Sequence, residues 1–123
     1  MNKFIGKQAY QNTATTAPRI EDPHAAITVC LETLLHNLKI LRDMPSSGSE
    51  LFNKVSSKCL TAIYILQSSL DFDKGREIAE NLFKLYEYVK YQVLEKSKKS
   101  NTSDMDCAVS IISEISESWK AIK

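Results

Sequence analysis

The sequence predicts an all-α protein: an antiparallel up-down four-helix bundle behind a mobile N-terminal arm. Three observations carry that expectation. Four runs of roughly 20 residues place apolar side chains at three- and four-residue spacing. The links between them are short, polar and rich in capping residues, which favours antiparallel neighbours. Glycine and proline number only three each in 123 residues, too few to turn a β architecture.

Residues 1–21 show no amphipathic period, and QNTATTAPRIED reads as an extended arm. The arm carries Phe4, Ile5 and Tyr10, apolar groups in a segment too short to bury them itself. The bundle is expected over 22–123. Asp22 and Pro23 read as N-cap and first helical residue, opening a helix over about 23–42. Its inner stripe is Ile27, Cys30, Leu31, Leu34, Leu38 and Leu41. Ser47 or Ser49 caps a second helix over about 50–70, with Phe52, Val55, Cys59, Ala62, Ile63, Leu66 and Leu70 inward. Leu60, Tyr64 and Ile65 fall off that stripe, so this helix is apolar over much of its circumference.

Asp71 or Asp73 caps a third helix over about 74–96, facing inward with Ile78, Leu82, Leu85, Tyr86, Val89 and Val93. Gly75 in its first turn costs up to ~1 kcal/mol against alanine, which implies a close neighbouring backbone. Ser103 reads as the cap of a fourth helix over about 104–122, with Met105, Ala108, Ile112, Ile115 and Trp119 inward.

Little chemistry is visible. A net charge of +1 gives no global field for nucleic acid or an anionic membrane. Cys30, Cys59 and Cys107 are an odd count without a CxxC, which fits a reducing, cytoplasmic setting. The N-terminus has no signal-peptide core, and no apolar run approaches the ~20 residues of a membrane span. Nothing is expected to insert in a membrane or to be removed. His24 and His36 stand apart from any metal-binding spacing and read as solvated. DKGRE holds one glycine and no phosphate-loop spacing. Lys96, Lys98 and Lys99 read as a solvated helix end that favours the dipole, not a nucleic-acid site. The expectation is therefore no enzyme, no catalytic residue, no cofactor and no metal.

What stands out is apolar surplus. Val29 and Ile40 lie off the first helix's stripe, and the second helix and the arm carry more. Tyr88 and Tyr91 lie well away from the third helix's inner face, where an exposed tyrosine can anchor a contact. Surplus apolar surface together with a loose apolar arm suggests a groove that the arm can cover and from which an amphipathic partner segment can displace it. A fully buried, wide core is the competing account.

The segment LDFDKGREIAENLFKLYEYV, Leu70–Val89, resembles the LD-x-(E/D)-KGGEIA-x-NL-x-x-LY-x-Y stretch of the FliS family, the flagellar export chaperones that hold flagellin before secretion. The fit runs through Leu70, Asp71, Lys74, Gly75, Glu77, Ile78, Ala79, Asn81, Leu82, Leu85, Tyr86 and Tyr88. ESWKAIK is similar to the family's ending through Trp119 and Ile122, and AYQNT to its N-terminal tyrosine segment through Tyr10. Ile5 sits where the family has a second apolar anchor. Three departures are clear: Arg76 replaces the second glycine, DPHAAITVCLET replaces the family's opening of the first helix, and DMPSSGSE replaces its acidic link between the first two helices.

The resemblance implies a bundle without enzymatic activity whose partner is the disordered C-terminal segment of flagellin. It also implies handover to flagellar export gate components, with the chaperone a monomer or homodimer. A general helical adaptor for another amphipathic segment would share the apolar surplus. The candidate partner-binding residues are Ile5, Tyr10, Ile63, Leu66, Ile78, Leu82, Tyr86 and Tyr88.

Overall fold

Four helices follow one another in the computed structural model, which describes residues 23–45, 48–98 and 102–122: α1 (Pro23–Asp43), α2 (Glu50–Ser68), α3 (Phe72–Lys96) and α4 (Met105–Lys120). There is no strand among the described residues. The arm over 1–21, the Asp22 cap and Ser47 lie outside them. α1 packs on α2 and α4, and α3 packs on the same two, so α1 and α3 stand on a diagonal. Successive helices run antiparallel. The Cys30 thiol near the start of α1 meets the Ala62 carbonyl towards the end of α2, and Gln92 late in α3 meets Asp104 before α4.

Each inner face follows its sequence period. Leu31, Leu34, Leu38 and Leu41 of α1 are completely buried, as are Cys59, Ile63 and Leu66 of α2. Tyr86 and Val89 from α3 and Ala108 and Ile112 from α4 close the core. Leu85 departs from the expectation: it is 37% exposed, because it lies at the edge of the α3 stripe, one residue from Tyr86. Asn37, beside the leucine stripe on the side that faces α2, is buried and donates back to the Thr33 carbonyl at 2.8 Å, which satisfies an amide that burial would otherwise penalise.

Caps decide the boundaries. Gly48 has φ 105°, a left-handed geometry natural to glycine, and turns the chain into α2. The Ser49 hydroxyl accepts the Phe52 N–H at 3.0 Å. Asp71, not Asp73, caps α3: one carboxylate oxygen accepts the N–H groups of Asp73 and Lys74, each at 3.0 Å. α4 starts one residue later than its expected cap, since Asp104 rather than Ser103 accepts the Cys107 N–H at 3.0 Å. A carboxylate there is doubly suited, accepting a hydrogen bond and facing the positive end of the helix dipole.

The two ends of the bundle are fastened by polar contacts. At one end the His24 ring stacks on Trp119, with centroids 4.7 Å apart. The Trp119 indole N–H donates to the His24 carbonyl at 3.1 Å, and His24 Nε2 lies 2.9 Å from the Trp119 carbonyl. His24 is therefore not a solvated histidine; it joins the start of α1 to the end of α4. At the other end the Gln92 side chain accepts the Asp104 N–H at 2.6 Å, and Lys96 Nζ reaches the Arg42 carbonyl at 3.4 Å.

Arg76 interrupts α3. Its φ of 44° and ψ of −120° are not helical, and that region is nearly closed to residues with a Cβ. Phe72–Gly75 therefore form a separate turn, closed by the Gly75 N–H on the Asp71 carbonyl at 2.8 Å, before the chain re-enters the helix. The strain sits where the resembling pattern carries its second glycine.

Two predictions follow from these contacts. Releasing Arg76 strain of ~1–3 kcal/mol outweighs the ~0.5–1 kcal/mol that glycine loses to chain entropy. Arg76→Gly is expected to raise stability in urea unfolding by about 1 kcal/mol. Arg76→Ala keeps the Cβ and gives no such gain; a destabilised glycine variant contradicts the strain assignment. The second concerns Glu95, buried at the end of α3, which accepts from Lys98 Nζ at 2.7 Å and from the Thr102 hydroxyl at 2.9 Å. The Lys98 ammonium first, and the Thr102 hydroxyl next, hold its carboxyl below the ordinary value of 4.5. A depressed carboxyl contributes stability that is complete above the unfolded value and lost as pH falls through the folded one. The thermal midpoint should fall on acidification below that ordinary value, and Glu95→Gln should flatten the fall.

Candidate functional site

Among the described residues, the seam between α1 and α2 is closed on its inner side by the core and open on its outer side. That outer side is a groove of about 1260 Å³. Its register is set where Cys30 Sγ lies 3.5 Å from the Ala62 carbonyl. Val29 and Ile65 flank one end, 60% and 45% exposed; Ile40 and Leu51 flank the other, 36% and 60% exposed. His36, Lys54 and Lys58 line the stretch between them. Four large apolar side chains on one concave face leave a patch of the kind that marks an interaction site on a soluble protein.

The groove arises because each of its helices carries two apolar faces. Val29 and Ile40 lie about three turns apart on a side of α1 that the leucine stripe does not use. α1 already buries its stripe against α2 and α4, so no further helix among the described residues covers its second face. A second set of exposed apolar groups lies along α3. There Phe72 and Phe83 pack at 6.1 Å between ring centroids, with Tyr88, Tyr91 and Leu94 further along.

The candidate residues divide. Ile63, Leu66, Leu82 and Tyr86 are wholly or almost wholly buried and offer a partner no surface in this conformation. Ile78 is half-buried against the core, and Tyr88 is exposed on α3, away from the groove. Ile5 and Tyr10 lie outside the described residues. Sequence reasoning had noticed Val29, Ile40 and Ile65 as off-stripe apolar groups without selecting them. It missed Leu51, Lys54 and Lys58. The available signal was the recurrence of Leu51 and Ile65 about four turns apart on the outer face of α2.

The chemistry of the site is burial. Desolvation pushes the Cys30 thiol up to about 11 and the Cys59 thiol to about 12, which keeps both protonated and poorly nucleophilic. Among the described residues no group of His, Cys, Asp and Glu is placed to hold a metal ion. No helix among them is long and apolar enough to cross a membrane.

Comparison with known proteins gives the arrangement a context. The family model described as Flagellar protein FliS matches residues 6–123. The chain is 26% identical over 122 residues to the Flagellar secretion chaperone FliS of Vibrio cholerae serotype O1, spanning 94% of this chain and 86% of that one. It is 27% identical over 107 residues to the Flagellar secretion chaperone FliSB of Pseudomonas aeruginosa, spanning 82% and 81%. It is 35% identical over 57 residues to the Flagellar secretion chaperone FliS of Salmonella typhimurium, spanning 46% and 42%. No solved structure matches the chain significantly.

Proposed function

The chain belongs to the flagellar protein FliS family, and from that membership we propose that it is a cytosolic export chaperone for flagellin. It binds the disordered C-terminal segment of flagellin, prevents premature polymerisation and delivers the segment to the flagellar export apparatus. The family match over residues 6–123 carries this reading, and the open apolar groove supports it physically. Flagellin assembles through apolar helical termini, so a chaperone has to cover such a terminus in water and later let it go. An apolar groove binds such a segment mainly by desolvation, and the segment's ordering cost keeps the complex releasable. None of this calls for a nucleotide, a metal or a reactive side chain.

The experiment is direct. The C-terminal segment of flagellin from the same genome should form a complex at micromolar or lower concentration in titration calorimetry. No binding in that range overturns the reading. Val29→Ser with Ile65→Ser trims exposed apolar surface and should weaken the complex about tenfold while leaving the melting midpoint nearly unchanged. Ile63→Ala, by contrast, opens a cavity in the core and should cost ~2–5 kcal/mol of stability. Ile5→Ala and Tyr10→Ala on the arm are expected to alter affinity with little movement of the midpoint.

A further inference from the structure

The groove is not uniformly apolar. Between the Val29–Ile65 end and the Ile40–Leu51 end, α2 presents Lys54 and Lys58 one turn apart. Both are exposed, and neither belongs to an ion pair among the described residues. Among the described residues no Asp or Glu lines the groove. Arg42 and Lys120 elsewhere are paired, Arg42 with Asp43 and Asp106 and Lys120 with Glu32, whereas Lys39, Lys74, Arg76 and Lys84 stand outside these ion pairs but do not line the groove. Two adjacent ammonium groups without an ion-pair partner among the described residues form a positive centre between two apolar ends of the channel.

We propose that the groove selects an amphipathic helical segment with an acidic centre. Its apolar side chains fill the two ends, and one or two carboxylates lie midway, against Lys54 and Lys58. The proposal deepens the export-chaperone reading and rests on it for the presence of a helical client; the charge rule itself comes from the groove. Geometry sets the client's length. The lining runs from Ala26 to Ile40 along α1, about 21 Å, which accommodates roughly four turns of helix. The chain's own N-terminal residues do not supply the matching charge. Lys3, Lys7 and Arg19 outnumber Glu21 and Asp22 there, and those two acids immediately precede Pro23, about 20 Å along α1 from His36. Complementary charge at a groove rim sets register and suppresses wrong partners more than it adds raw affinity. An acidic centre would therefore fix which stretch of a long apolar client docks.

The test uses the full-length chain and three labelled peptides of about 15 residues that share one apolar pattern. They carry Glu, Gln or Lys at two central positions. In low salt the Glu peptide should bind about five- to tenfold tighter than the Gln peptide, with the Lys peptide weakest. The spread should shrink as salt rises. Lys54→Gln with Lys58→Gln should level the three, and Lys54→Glu with Lys58→Glu should reverse their order at an unchanged melting midpoint. Equal binding of the three peptides, binding of none, or a ranking that survives charge reversal overturns the proposal. The flagellin segment is measured alongside. If it fails while the Glu peptide wins, the chaperone reading falls and the charge rule stands. If it binds while the peptides do not discriminate, the reverse holds.

Discussion

Everything in this bundle depends on the leucine stripe of α1. Leu31, Leu34, Leu38 and Leu41 are completely removed from water, and they are shared between α2 and α4. One stripe serving two neighbours has a geometric consequence. α1 sits in the angle between them, α3 takes the opposite corner, and among the described residues no helix covers the side of α1 that faces away from the core. Deep packing on the inside and an open groove on the outside are thus two results of one placement. Removing a buried leucine would loosen the wall of the groove along with the core, because the same helix pair supplies both.

Apolar packing fixes which faces meet, but a stripe of similar leucines can slide by a turn. The polar contacts at the two ends forbid that. The His24–Trp119 stack with its reciprocal hydrogen bonds ties the start of α1 to the end of α4. Gln92, Lys96 and Glu95 tie the end of α3 to the turn before α4 and to the end of α1. Slipping the helices by one turn would leave these half-buried donors and acceptors unmade, at a cost of ~1–3 kcal/mol for each one stranded. Hydrophobic burial supplies the drive, and a few hydrogen bonds choose the register.

Much of this was legible from the chain alone. The four helices, their order and nearly all the inner residues follow from a three-and-four spacing that a helix cannot disguise. The cap of α4 was misplaced by one residue because Ser103 and Asp104 are adjacent and both can cap; only the bond to Cys107 decides between them. His24 was misread because stacking on Trp119 joins residues 95 positions apart, and no local pattern encodes that. The site was only half legible. Surplus apolar residues announced a groove, but choosing inner-stripe residues such as Leu66 and Tyr86 as contacts confused the apolar groups that hold the bundle with those it leaves over. Telling them apart requires knowing how many neighbours each helix has.

An open apolar channel is a hazard to the protein that carries it, since a second copy could bury the same surface. Lys54 and Lys58 bear on that hazard as well as on client choice. Two copies meeting groove to groove would bring like charges together at the centre of the contact, where desolvation makes the repulsion strongest. A client with carboxylates at that point meets attraction instead. The same pair of ammonium groups can therefore disfavour self-association and favour the client, without any moving part. This works because the core holds α2, the helix that carries the two lysines, so most of the cost of ordering falls on the incoming segment rather than on the chaperone.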